Sequence, residues 1–207
     1  MKTLGVFVAR NRAAAVFLAV TVVIFTVVGL VRESAFLWVY LPVLAGCIGG
    51  VVLLDHRRGP IPSVLIWLLV VWAGMHLAGG LAPNPTGDSE ILYGMWLIDG
   101  VLRYDQLVHG FGIGAATAVF AYTARDSGRP LFWGFVLSQA VGLVNETVEN
   151  VFAALVEGSN VGDIVNTTWD MIWHVIGATV ATVWMARRGI PGHIAAADYG
   201  ASPKEAS

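Results

Sequence analysis

The sequence predicts an all-α fold, a polytopic membrane bundle of six transmembrane helices with both termini cytoplasmic. Of 207 residues, 57% are hydrophobic and only 13% charged, whereas charged residues make up about a quarter of an ordinary soluble domain. Mean hydropathy is +0.71. The apolar residues gather into six runs of spanning length, and lysine and arginine fall almost entirely in alternate connectors. Helix is the backbone that suits such runs, because an open strand in lipid leaves its donors and acceptors without partners.

A span needs about 20 apolar residues rising 1.5 Å each to cross roughly 30 Å of hydrocarbon. The first candidate, 13–31, follows the basic segment MKTLGVFVARNR. That pairing resembles a secretory signal, but the run is long and has no small-x-small cleavage site before Arg32, which suits a retained helix. The second, 35–54, holds the single cysteine, Cys47, with Gly49 and Gly50 beside it, and all three read as packing. The third is 61–82. The connector 83–104 is the long one: PNPTGDSE is turn chemistry, and ILYGMWLIDGVL is apolar for 12 residues, too short to cross. An interfacial or re-entrant segment is expected there, with a functional lid and an apolar interfacial helix as the two readings. The last three spans are 105–124, 130–156 and 166–186. Residues 1–188 thus form one transmembrane domain, and 189–207, rich in glycine, proline, alanine and polar residues, a flexible cytoplasmic tail.

Orientation follows from the cations. Lys2, Arg10, Arg12, Arg57, Arg58, Arg125, Arg129, Arg187, Arg188 and Lys204 fall on one side of a six-span arrangement, against Arg32 and Arg103 on the other. The rich side is cytoplasmic, and the chain is expected in the plasma (inner) membrane. Trp38 and Trp169 near the outer ends, with Trp133 and Trp184 near the inner ends, suit an aromatic belt. A net charge of −2 offers no basic surface to nucleic acid.

Against this apolar background, the last three spans carry ionisable residues at helical spacing. They are Asp105 and His109 in YDQLVHGFGIG, Asn145, Glu146 and Glu149 in NETVEN, and Asn166, Asp170 and His174 in NTTWDMIWH. Residues three or four apart lie one turn above each other, so each set shares a face. Counted from the outer ends at 1.5 Å per residue, His109 and Asp170 lie roughly 6 Å deep, Glu149 about 10 Å, His174 about 12 Å and Glu146 about 15 Å. His76 on the third span falls at roughly 8 Å and can join this layer, although packing alone accounts for it.

An unpaired charge at the bilayer centre costs about 2.5–3.5 kcal/mol even on the lenient insertion scale, so these groups must face each other, water or an ion. Carboxylates and imidazoles are the ligands that zinc, iron or manganese takes. The spacing matches neither HExxH nor a paired ExxH. A divalent metal held by Asp105, His109, Asp170 and His174, with Glu146 or Glu149 as general base, is the leading arrangement; His76, Asn145 and Asn166 are additional candidates. A metal-free proton relay and hydrogen-bonded interhelical glue use the same residues.

The glycines of HGFGIGAA invite a nucleotide reading, which fails because no strand precedes them and they lie inside a span. Gly110 and Gly114 are instead a small-xxx-small pair that lets helices approach closely, and Gly177 with Ala178 can do the same on the sixth span. No nucleotide cofactor is expected.

YDQLVHGFGIG, NETVEN and NTTWDMIWHVIGA resemble the YjdF-like family of bacterial membrane proteins and, more distantly, the VanZ-like family, over residues 104–180. The resemblance implies matching positions for Asp105 and His109, for Glu146 and Glu149, and for Thr167, Asp170 and Met171. Asn166 stands where the family leads one to expect aspartate, and His174 where relatives carry a small residue or asparagine. The VanZ-like resemblance implies a cell-envelope setting.

Together these readings point to a metal-dependent site opening to the outer leaflet and acting on a membrane lipid or lipid-linked envelope substrate, as an intramembrane hydrolase. A proton-coupled transporter or lipid-translocating protein would use the same layer as a binding site, but needs polar residues in the inner half. A structural or accessory subunit, with an oligomer or partner subunit around it, would use the layer only as glue.

Overall fold

The computed structural model describes residues 2–87, 89–155 and 164–192. Among them are seven α-helices: α1 (Lys2–Arg10), α2 (Arg12–Val31), α3 (Phe36–Arg58), α4 (Ser63–Leu81), α5 (Tyr104–Thr123), α6 (Pro130–Leu155) and α7 (Ile164–Arg188). Each expected span has its helix. Four of them, α2, α3, α4 and α6, are both long and apolar enough to cross a membrane. The two long helices outside that set, α5 and α7, are those that carry Asp105 and His109 and Asp170 and His174.

α5 is the central element. It packs on α7 most extensively, then on α6, and on α4 through its remaining face. Lipid is as apolar as leucine, so helices in a bilayer associate through close packing rather than by expelling water. Glycine supplies that closeness here. A Cβ on Gly177 would land on the Gly110 carbonyl, one on Gly114 would lie 3.1 Å from the Gly177 oxygen, and one on Gly110 would lie 3.3 Å from the Trp173 oxygen. The Thr117 and Ser138 hydroxyls lie 2.7 Å apart and tie α5 to α6.

Two apolar clusters complete the bundle. One joins Ile61, Leu65, Val70, Val119, Tyr122 and Met185 toward the predicted inner end. The other joins Leu37, Tyr40, Leu44, Ala73, Leu77 and Leu81 where α3 meets α4. The inner end is also fastened by polar contacts: Arg10 pairs with Asp55, whose Oδ1 accepts the Ile61 N–H at 2.7 Å, and Ser63 donates to Asn11 Oδ1 at 2.9 Å.

Several expectations change. The basic N-terminal segment is a short helix, α1, because Phe7 packs on the inner cluster and Asn11 at its end is buried. The apolar stretch of the outer connector forms neither an interfacial helix nor a re-entrant one. It is a 3-10 turn, Leu92–Gly94, followed by an antiparallel hairpin of β1 (Trp96–Ile98) and β2 (Leu102–Arg103). The cause is Asp99-Gly100 at the hairpin tip, where Gly100 takes φ 68°, a conformation that glycine adopts freely. Cys47, Gly49 and Gly50 are not packing residues: Cys47 is exposed, and a Cβ at either glycine meets nothing within 4 Å. Of the expected tail, 193–207 lies outside the described residues, while Ile190 is buried on the inner cluster.

Gly177→Ala is expected to destabilise the fold by about 1–3 kcal/mol, the usual cost of overpacking. Gly49→Ala, in open space on α3, should be neutral or stabilising by up to about 1 kcal/mol. Thermal unfolding of both variants in detergent checks the pair, and equal effects would count against the close α5 to α7 crossing.

Candidate functional site

The outer connector fixes the start of α5. The Tyr104 N–H donates to the Met95 carbonyl at 2.9 Å, and Gln106 Oε1 accepts the Arg103 N–H at 2.9 Å, closing the first turn of the helix. Tyr104 and Tyr93 donate through their hydroxyls to the Met75 and His76 carbonyls at 3.1 and 3.2 Å, which seats the connector on α4. Asp105 and His109 therefore enter the bundle in a set register.

One turn apart on α5, Asp105 Oδ1 lies 3.2 Å from His109 Nε2. The other ring nitrogen, Nδ1, lies 2.9 Å from His174 Nε2 of α7 and 3.2 Å from Glu146 Oε1 of α6. Glu146 Oε1 is in turn 3.5 Å from His174 Nε2. Asn166 bridges the two aspartates: its amide donates to Asp105 Oδ2 at 3.1 Å and to Asp170 Oδ2 at 2.6 Å. All five ionisable residues are buried, Glu146 at 2% exposure and Asp170 at 0%. Room for the His174 ring comes from Gly142, where a Cβ would stand 2.6 Å from His174 Nδ1.

The layer read from helical depth is thus a single cluster. Asp105, His109, Glu146, Asp170, His174 and Asn166 meet. Glu149 does not join them; it is only partly buried and accepts from Asn145 of its own helix at 2.7 Å. His76 stands at the edge, its ring 6.1 Å from that of His109. Asn150, absent from the sequence-based set, donates to the Glu146 carbonyl at 2.7 Å and to Thr167 Oγ1 at 2.9 Å, linking α6 to α7. Its place in NETVEN, one turn after Glu146, was the available signal.

Two groups here offer ligand atoms all within 4.8 Å of one another and could hold a metal ion: His109, Glu146 and His174, and Asp105, His109 and Asp170. Tetrahedral ligands at about 2.0–2.1 Å from zinc stand roughly 3.3–3.4 Å apart. The first group, with separations of 2.9, 3.2 and 3.5 Å, fits that spacing. Its chemistry also fits. Neither Glu146 oxygen has a hydrogen-bond partner despite full burial, and an unsatisfied buried acceptor costs roughly 1–3 kcal/mol or more.

An all-helical chain with apolar spans and a buried histidine and carboxylate layer is a membrane protein of the helical class. Residues 13–189 match the family described as Predicted membrane protein (DUF2238), and the chain belongs to that family, the one its last three helices resemble as YjdF-like. No curated protein and no solved structure matches the chain.

Asn166→Leu would leave both aspartates without this donor. It is expected to lower stability by about 1–3 kcal/mol, measured as a fall in the thermal unfolding midpoint. An unchanged midpoint would show that the bridge does not hold the aspartates in place.

Proposed function

We propose that the cluster is a divalent-metal site in the outer half of a six-span bundle, and that it hydrolyses a lipid or lipid-linked envelope molecule in the plasma membrane. The observation that carries this is Glu146, a buried carboxylate without a hydrogen bond on either oxygen, set 3.2 and 3.5 Å from two imidazole nitrogens. His109 Nδ1, His174 Nε2 and Glu146 are the ligands. Two imidazoles and one carboxylate make the donor set of hydrolytic zinc centres, which keep a fourth position open. A metal in such a place lowers the pKa of bound water to about 7 and polarises a carbonyl or phosphoryl oxygen.

The protein's own groups have distinct tasks. Asp105, 3.2 Å from His109 Nε2, accepts that N–H and fixes the ring so that Nδ1 presents its lone pair. Asn166 holds both aspartates by one oxygen each, and Asp170 Oδ1 is left without a hydrogen bond. That oxygen is the natural acceptor for a proton released in the reaction. In this reading Glu146 is a ligand and Asp170 the base, the reverse of the roles that spacing suggested, and Glu149 stands outside. The inner apolar cluster favours catalysis over transport, since it fills the route that a carried ion or substrate would need. The lysine and arginine distribution supports cytoplasmic termini.

Elemental analysis of protein purified without chelator tests the site. One equivalent of zinc, iron or manganese is expected in the wild type and none in folded His174→Ala, while Asp170→Asn, outside the ligand group, keeps its metal. Metal lost from Asp170→Asn and kept in His174→Ala would move the ion to the aspartate side of His109. Asp105→Asn should weaken metal affinity by about 10–100-fold, as loss of a ligand-orienting carboxylate does, read by competition with a chelating dye.

A further inference from the structure

A cavity of about 120 Å³ lies beside the cluster. Its inner wall includes His109 and His174, and its outer wall is apolar: Val43 and Cys47 from α3, Val144 and Val148 from α6. These outer residues are themselves exposed, Val144 at 63% and Val43 at 36%. α3 packs on α1, α2 and α4, and α6 on α5 and α7, so the two walls belong to helices held by different neighbours. Cys47 stands near the middle of α3 and Val144 near the middle of α6, so in the six-span reading the gap between them lies at the depth of the hydrocarbon.

At the polar end of this cavity stands His76. It is 5% exposed, and its Nδ1 has no hydrogen-bond partner. The ring is held on several sides by aromatic neighbours, with centroids of Tyr40, Tyr93, Trp72 and Phe36 at 4.7, 5.5, 5.8 and 6.0 Å. None of these supplies a donor or acceptor to Nδ1. A buried ring nitrogen without a partner, on a cavity that also exposes His109 and His174, calls for a polar atom from outside the chain. An apolar mouth with polar groups at its root, His76, His109, His174 and Asn145, matches a lipid: hydrocarbon chain outside, ester or phosphoryl oxygen inside. A volume near that of the engineered cavity of about 150 Å³ that accepts a benzene ring admits only the root of such a molecule. The rest of the chain would stay in the bilayer, between α3 and α6.

We infer that this cavity is a lateral port by which a bilayer lipid reaches the His109, Glu146 and His174 group, with His76 as the residue that hydrogen-bonds the oxygen at the root of its chain. The inference rests on the proposed reading of that group as the reaction centre for what happens to the lipid after it arrives. Arrival itself is separable and can be measured alone.

The full chain is reconstituted in vesicles of phosphatidylethanolamine containing a few per cent of phosphatidylglycerol with a diazirine near the ester end of one chain. After irradiation, labelled peptides are mapped by mass spectrometry, and metal content is measured on the same preparation. Labelling is expected to concentrate around Cys47 and Val144 to Val148, severalfold above outward-facing Val23 on α2 and Val180 on α7. Val144→Trp, which blocks the mouth from an exposed position, should abolish that excess without changing metal content, and Val43→Trp serves if the first variant misfolds. His76→Phe keeps the aromatic packing and removes the nitrogen; about a fivefold drop in port labelling is expected from the loss of one hydrogen bond, with metal content unchanged. Uniform labelling over all lipid-facing helices, or an excess that survives both tryptophan variants, overturns the port. Wild-type labelling in His76→Phe overturns the part given to His76. Concentrated labelling in a protein that binds no metal upholds the port and removes the reaction-centre reading.

Discussion

The arrangement depends on one contact, the crossing of α5 and α7 at Gly110, Gly114 and Gly177. In lipid there is no water to expel from between helices, so the distance between two backbones is set by the smallest side chains on the facing surfaces. Because these are hydrogens, the histidine on each helix sits next to its counterpart rather than a turn of side chains away, and His109 and His174 meet at 2.9 Å. A bulkier seam would separate the helices and break the cluster into individual buried charges. Each would then be far more costly than the paired set.

Around that crossing the bundle divides its labour. α5, α6 and α7 supply the polar cluster, and α4 supplies His76, whose aromatic surroundings are Phe36 and Tyr40 of α3, Trp72 of α4 and Tyr93 of the connector. α2 and α3 contribute mainly apolar surface, and much of it faces outward, including Val23, Val27 and Trp38. The outer connector is not idle cover. Its Tyr93 hydroxyl reaches the His76 carbonyl and its ring lies against Gly79, so the loop rests on the stretch of α4 that presents His76 to the cavity. Dense polar contacts at the cluster and an apolar cluster beyond it divide the bundle into one polar and one apolar half.

Much of this was legible in the chain. Spanning length and periodicity gave each long helix, and equal depth of ionisable residues on three helices was enough to expect one cluster, because an isolated charge in lipid is excluded on energetic grounds. What remained hidden was hidden for physical reasons. In an almost wholly apolar helix such as α3, composition has no preferred face, so nothing distinguished Cys47, Gly49 and Gly50 from true packing positions. The hairpin was announced by Asp99-Gly100, but hydropathy outweighed the turn signal. Roles within the cluster could not be read from spacing, since the partners of a carboxylate depend on how neighbouring helices are rotated. Asn166, not a charged residue, turned out to hold Asp105 and Asp170 together.

The crossing at Gly177 also bears on how such a protein can change over generations. What a side chain at Gly177 would strike is the carbonyl of Gly110, part of the main chain. A clash between two side chains can be relieved by shrinking either one, but no substitution at Gly110 removes its own carbonyl. Side chains of the cluster can therefore vary singly, while the helix spacing has no compensating neighbour. Descendants of this chain can retune the cluster's chemistry far more readily than they can relocate it.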